Sequence, residues 1–283
     1  MPLPRLMTGS RYDRYFEIMA GRSALIDPRE DREVDLTEIE PPIDWRDLFG
    51  NDNPVEVEIG CGNGRFLLEA AKRHPEINYV GIERARKFAD RTRERLMKQI
   101  EYTGQFPNER DSRPFSNIRL VWSDAPYFVS RYVADGSVKA YHVYFPDPWP
   151  KKRHHKRRLF RNEVWLRGLT QTLDPDSGHI RIATDYAAYF YEIHHRLTHT
   201  PPLVYVLPDS VETEHIPTNF EIKYRAEGRK IYRAVYQLTN RRTGITGYRC
   251  IAPCSSPLSS EYLNSDTPRR PLFHLQQSGS AAQ

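Results

Sequence analysis

Cysteine is scarce: Cys61, Cys250 and Cys254 are all that 283 residues contain. Three thiols cannot all pair, which excludes a disulfide scaffold and predicts a protein of the reducing cytoplasm. Cys250 and Cys254 have no second ligand pair beside them, so they read as free thiols and no metal is expected. Long apolar runs are missing too. No stretch approaches the roughly 20 apolar residues of a membrane helix. The opening MPLPRLMTGSRYDRYF has no uninterrupted apolar segment of the kind a secretory leader needs. Neither a membrane partner nor export is expected, and no internal repeat stands out.

What is present is charge, unevenly spread. Lys and Arg number 42 against 37 Asp and Glu, a formal net charge of +5, and the pI is about 9.0. This is a modest bias toward a polyanionic partner. The run Lys151-Lys152-Arg153-His154-His155-Lys156-Arg157-Arg158 says more, because six positive charges stand there without one acid. Such a run is ordinarily a solvated face or a flexible arm; its place directly after a candidate active-site turn argues for a binding rim.

Residues 1–50 are charged and weakly periodic and read as an N-terminal arm with one helical piece. Residues 51–240 alternate strand and helix patterns. Residues 241–283, rich in Ser, Pro, Arg and Gln, read as a disordered tail. Strands are predicted at 55–59, 79–82, 118–122, 141–145, 179–183, 204–207 and 231–238, and helices at 64–73, 84–100, 159–170 and from 186. The last two strands have no helix predicted between them. Alternation at this spacing implies an α/β fold with a mostly parallel seven-stranded sheet, right-handed crossovers and an antiparallel edge.

The sharpest local motif is Glu58-Ile59-Gly60-Cys61-Gly62-Asn63-Gly64, between a strand and a helix. Gly60 and Gly62 permit a tight turn and a close ligand approach. The spacing G-x-G-x-G is shorter than the dinucleotide fingerprint and suits a compact amino-acid-and-nucleoside ligand over one with a pyrophosphate. Glu83 ends the second strand, where a carboxylate can accept from both ribose hydroxyls. Asp124 ends the third, where it can accept from an adenine amino group. Glu58 can meet an ammonium or sulfonium directly or through water. Together these acids point to S-adenosylmethionine, bound at the Rossmann-like site of a class I methyltransferase fold. Glu56 has no assignable role.

The fourth strand runs into Tyr144-Phe145-Pro146-Asp147-Pro148-Trp149-Pro150-Lys151. Two prolines bracket Asp147 and stiffen its turn. A rigid carboxylate beside aromatics suits guanine, whose N1–H and N2 amine are adjacent donors. Guanine N7 is an unprotonated lone pair, so its alkylation needs alignment and not an obligatory base. Asp147 is therefore the candidate catalytic residue, orienting the base and stabilising developing positive charge; a proton-transfer role stays open. Lys151 and the cations after it would hold phosphates. Asp185, ending the fifth strand, either contacts the base or caps the helix that follows.

EIGCGNG (58–64), GIE (81–83), SDA (123–125), FPDPWPKKRHHKRR (145–158), ATD (183–185) and TNFE (218–221) together resemble the bacterial tRNA (guanine-N7-)-methyltransferase family. The resemblance runs in order from about residue 54 to 237, and FPDPWPK followed by H-x-K-R-R is its most specific part. It implies S-adenosylmethionine contacts at Glu58, Glu83, Asp124 and Asp147, and tRNA contacts at Lys151, Asp185 and Thr218, Asn219, Phe220 and Glu221. It implies an enzyme that methylates guanine 46 of the tRNA variable loop; a cytoplasmic monomer or homodimer is expected. Asn219 departs from the family's usual lysine and removes a possible phosphate or base contact. Two other readings stand beside this one: a methyltransferase of another RNA, and a non-catalytic RNA-binding protein on the same fold. Loss of S-adenosylmethionine binding would favour the latter.

Overall fold

The computed structural model describes residues 33–104, 115–206 and 215–239. The expected tail and most of the expected arm lie outside them. Seven strands form one sheet: β1 (Val55–Ile59), β2 (Asn78–Glu83), β3 (Ile118–Trp122), β4 (Ala140–Tyr144), β5 (His179–Thr184), β6 (Leu203–Val206) and β7 (Tyr232–Leu238), in the order β3-β2-β1-β4-β5-β7-β6. The first five are parallel. β7 runs antiparallel between β5 and β6. The sheet is the mostly parallel α/β sheet with an antiparallel edge expected from the sequence, and its topology is that of the class I methyltransferase fold.

The period of two in β1 explains both faces of the sheet. Val55, Val57 and Ile59 join one apolar core with Val143, Trp165 and Tyr189. Glu56 and Glu58 alternate with them toward the other face. There α2 (Arg65–Arg73) packs Phe66, Leu67 and Ala70 beside Tyr79, Leu96 and Ile118. Residues 33–50, read as part of the arm, pack on the body. Val34 N–H donates to the Leu120 carbonyl at 2.7 Å and Ile43 N–H to that of Tyr132 at 2.7 Å. The short helix α1 (Trp45–Phe49) is capped by the Asp44 carboxylate, and Phe49 enters the core.

The remaining helices are α3 (Arg86–Gly104), α4 (Ala125–Tyr132), α5 (Glu163–Thr172), α6 (Ala187–Thr198) and α7 (Asn219–Ala226). Three differ from expectation. α4 was not anticipated, because an eight-residue helix opening on Ala125-Pro126 shows little periodicity. The helix expected at 159–170 is a 3-10 turn, Leu159–Arg161, followed by α5. Asn162 separates them: its side chain accepts from Val164 N–H and Trp165 N–H and restarts the helix. α7 does lie between the last two strands, contrary to expectation. It buries Glu221 and no apolar side chain, so it carries no hydrophobic stripe. Its signal was Thr218-x-x-Glu221, a capping-box spacing, and the Thr218 hydroxyl accepts from Glu221 N–H at 3.1 Å.

Chain order reverses between β1 and β4, which are neighbours in the sheet. Strand ends splay at such a point, and ligands bind there. The turns after β1, β2 and β4 converge on it.

Candidate active site

The turn after β1 is stapled from three sides. Gly60 N–H and Cys61 N–H both donate to the Ile82 carbonyl, at 2.8 and 3.1 Å. The Thr92 hydroxyl of α3 donates to the Gly62 carbonyl at 2.6 Å. Gly62 N–H donates to Glu83 Oε2 at 3.0 Å. Gly60 and Gly62 have φ of +72° and +57°, left-handed values that disfavour side chains. A Cβ on Gly60 would meet nothing within 4 Å and one on Gly62 only the Gly60 carbonyl, at 3.9 Å. These glycines face open space, and a ligand approaching the turn meets bare backbone.

Three acids surround that space. Glu58 is 4% exposed, and its Oε2 has no hydrogen-bond partner. Burial pushes its carboxyl well up, the neighbouring Glu83 charge adds to this, and the Leu67 N–H opposes it. Glu83 is partly buried and is held by Gly62 N–H and by Ala85 N–H at 2.7 Å. Asp124 occupies the N-cap position of α4, with the Tyr127 N–H facing its carboxyl. Burial raises its pKa, against the Tyr127 N–H and Arg84. An orphaned buried carboxylate oxygen, a bare glycine turn and two more acids fit a cationic, nucleoside-bearing ligand such as S-adenosylmethionine. Glu58 would face its charge, and Glu83 and Asp124 its hydrogen-bond donors.

The turn after β4 is strained. Phe145 and Trp149 have φ of +52° and +42°, a region that bulky side chains avoid. They flank Asp147, which is exposed and has no bonding partner among the described residues. The strain persists because neighbours hold it. Phe145 N–H donates to the Ala183 carbonyl at 2.7 Å. Arg157 lies over the Trp149 ring at 4.9 Å, and His154 stacks on it.

The basic run is not a loose arm. It forms a 3-10 turn, Lys152–Arg157. Lys151, Lys152, Arg153, Lys156 and Arg157 are exposed, as a binding rim would require. Arg158 does not belong to it, which corrects the reading of the run as one rim. It is 3% exposed. Its Nε donates to the Pro148 carbonyl at 2.7 Å, and its Nη1 to Glu192 Oε2 of α6 at 2.5 Å. Its guanidinium lies 4.9 Å from the Tyr189 ring. Arg161 holds the other Glu192 oxygen at 2.5 Å. No sequence pattern marked Glu192 as a partner, because its contact spans 34 residues.

α7 sits against this turn. The Phe145 ring lies 6.1 Å from Phe220 and 5.6 Å from Tyr224. Phe220 and Asn219 are exposed and Thr218 half-buried. Glu221 points the other way: it is 2% exposed and is bonded by Arg225 at 2.8 Å, by His215 at 2.9 Å and by Arg233. Asp185 does not cap α6, whose first turn begins after Tyr186 without a side-chain cap. It accepts from Arg229 at 2.9 Å, and Arg229 covers the Tyr224 ring at 4.4 Å. Tyr224 and Arg229 were not anticipated. Glu56 accepts from His142 Nε2 at 2.8 Å on the sheet face. Burial raises its pKa, but the hydrogen bond and charge of His142 outweigh that and lower it. It lines a cavity of about 430 Å³ that also takes in Tyr144 and Ala183 at the ends of β4 and β5 and Thr218, Glu221 and Arg225 of the α7 segment.

Among the described residues no group of three or more His, Cys, Asp or Glu could hold a metal, and no helix is long and apolar enough to cross a membrane. A family model described as "Putative methyltransferase" matches residues 52–234. A tRNA (guanine-N(7)-)-methyltransferase of Bacillus cytotoxicus is 35% identical over 193 residues, covering 67% of this chain and 81% of that one. One of Geobacter metallireducens is 34% identical over 207 residues, 71% of this chain and 90% of the relative. One of Listeria monocytogenes is 37% identical over 193 residues, 67% and 82%. By these matches the chain belongs to the tRNA (guanine-N7-)-methyltransferase family.

Proposed function

We propose that the protein methylates N7 of a guanine in tRNA, guanine 46 of the variable loop, in the cytoplasm. The observation that carries this is the strained Phe145–Trp149 turn, which presents an exposed carboxylate at the strand end next to the glycine turn. When bound, S-adenosylmethionine supplies a methyl group on a cationic sulfur. Glu58, Gly60, Gly62, Glu83 and Asp124 bind it. Asp147 borders both ligands and accepts from the guanine N1–H and N2 amine, aiming N7. Its negative charge opposes the positive charge that the ring gains. N7 carries no proton, so Asp147 needs to remove none.

Lys151 and the exposed cations after it hold phosphates and set the position of the RNA. Phe220 and Asn219 offer the exposed edge of α7 to the same RNA. Thr218 fixes the start of that helix. Glu221, buried among Arg225, Arg233 and His215, anchors α7, and Asp185 acts through Arg229.

The experiment is methyl transfer from labelled S-adenosylmethionine to unmodified tRNA transcripts, followed by reduction and aniline cleavage. Cleavage at one variable-loop guanine is the expected result. Label without cleavage would move the target atom, and cleavage elsewhere would move the target nucleotide.

A further inference from the structure

α3 carries a stripe that the site touches only at Arg84, which acts on Asp124, and at Arg95, which donates to the Asn63 carbonyl at 3.4 Å. Arg84, two residues before the helix, is followed by Phe88, Arg91, Arg95 and Lys98 at spacings of four, three, four and three, which place them on one face. Lys87 stands beside Phe88. The helix buries Ala89, Thr92 and Leu96 on its other side. Arg84, Lys87, Phe88, Arg91 and Lys98 are all exposed. Phe88 is 39% exposed, and the Arg91 guanidinium lies 5.6 Å from its ring centroid. Of the nearby acids, Asp90 is bound by Arg86 at 2.7 Å, and Glu94 flanks the stripe.

Two things about this stripe ask for a partner. Like charges three and four residues apart weaken a helix unless something offsets them. An exposed phenylalanine between cations costs solvation without serving the core, whereas aromatics interleaved with cations are how proteins hold single-stranded nucleic acid. Its place supports the same conclusion. Arg84 directly follows Glu83, and β2 is separated from β4 by β1 alone. At the usual spacing of strands, the stripe therefore begins about 10 Å from the Phe145 turn. From Arg84 to Lys98 it runs about 21 Å along the helix.

We propose that this face of α3 is a second tRNA-binding track. It forms the wall of the mouth opposite Lys151–Arg157, with Lys87, Arg91 and Lys98 on phosphates and Phe88 under an unpaired nucleotide. The proposal rests on the tRNA reading above. The RNA is then gripped on both sides of the cofactor, which fixes the guanine better than one basic rim would.

The test is binding of an unmodified tRNA transcript over a series of salt concentrations, with steady-state methyl transfer alongside, for wild type, the triple variant K87A/R91A/K98A and F88A. The triple variant should lower the slope of log K against log salt by about 2 to 3 and raise KM for tRNA while KM for S-adenosylmethionine stays at the wild-type value. The charge-retaining K87R/R91K/K98R should restore the slope, which separates charge from helix integrity. F88A should weaken tRNA roughly fivefold or more through lost stacking, with the slope unchanged. A triple variant with wild-type slope and wild-type KM for tRNA would overturn the track while leaving the enzyme's reaction standing. A wild type that neither binds nor methylates tRNA would overturn the functional reading and the track with it.

Discussion

Arg158 reaches from a position 3% exposed to the carbonyl of Pro148, one residue past Asp147, and closes a 2.7 Å hydrogen bond there. The same guanidinium is paired with Glu192 at 2.5 Å, so α6 is tied to the Phe145–Trp149 turn through one side chain. Buried ion pairs are costly to break one-sidedly, because the remaining charge stays desolvated. Arg158→Ala is expected to lose about 3 kcal/mol of stability, less whatever Arg161 recovers by keeping Glu192. It should also lower kcat while leaving the salt dependence of tRNA binding in place. Arg157→Ala, on the exposed side of the turn, should reduce that salt dependence and cost only about 0.5–1 kcal/mol, the share of its contact with the Trp149 ring. Comparing the two variants by urea unfolding and by tRNA binding checks both halves. An Arg158→Ala protein that loses tRNA affinity as steeply as Arg157→Ala would return Arg158 to the rim.

Asp147 is exposed and bonds nothing among the described residues, so its replacement leaves no partner unsatisfied. Asp147→Asn keeps the size and removes the charge. Stability should stay within about 0.5 kcal/mol of wild type, as for most surface changes. Turnover should fall on the order of 100-fold, the usual loss when one group facing transition-state charge is removed. Labelled methyl incorporation at saturating tRNA measures it, and wild-type turnover would take Asp147 out of the mechanism.

Gly64 is fixed by contact as well as conformation. Its φ is +68°, and a Cβ there would stand 2.5 Å from Thr92 Cγ2. Gly64→Ala should cost about 1–3 kcal/mol. Adding Thr92→Ser removes the methyl but keeps a hydroxyl for the Gly62 carbonyl, so it should recover the steric share and leave the backbone share. Thermal unfolding of the single and double variants separates them; equal losses would place the whole cost in the backbone.

The parts of this molecule legible in the sequence are those that local chemistry dictates. β1 and the glycine turn announce themselves through Val55-x-Val57-x-Ile59 and three closely spaced glycines. Asp147 was visible because prolines bracket it. α7 was missed because it is held by ions and rings instead of an apolar stripe: Glu221 with Arg225 and Arg233, and Tyr224 with Phe145 and Arg229. Arg158 was misjudged for the same reason. Nothing in Lys156-Arg157-Arg158 distinguishes the one guanidinium that turns inward, because the partner that draws it in lies on α6. Residues selected by long-range electrostatic pairing leave no period to read.

His179 contributes to how the fold responds to acid. It is 4% exposed, and its Nε2 has no hydrogen-bond partner. Burial first, then the charges of Arg181 and His142, lower its pKa to about 4. The folded protein thus keeps this ring neutral at pH values where the unfolded chain, at the ordinary histidine value of about 6.5, takes up a proton. The unfolded state binds more protons in that window, so stability should fall as pH drops from about 6.5 to 4, by about 3 kcal/mol in total, and not further from this group below 4. Glu192 acts in a lower window. Burial alone would raise its pKa, but the hydrogen bonds from Arg161 and Arg158 reverse this and lower it. Its contribution is complete above the ordinary carboxylate value and lost as pH falls beneath it. His179→Gln should therefore make the urea midpoint fall less steeply between about pH 6.5 and 4.5, the rest of that decline coming from His194 and His195, whose pKa values burial also lowers. A variant whose stability falls as steeply as the wild type across that window would assign the loss to groups other than His179.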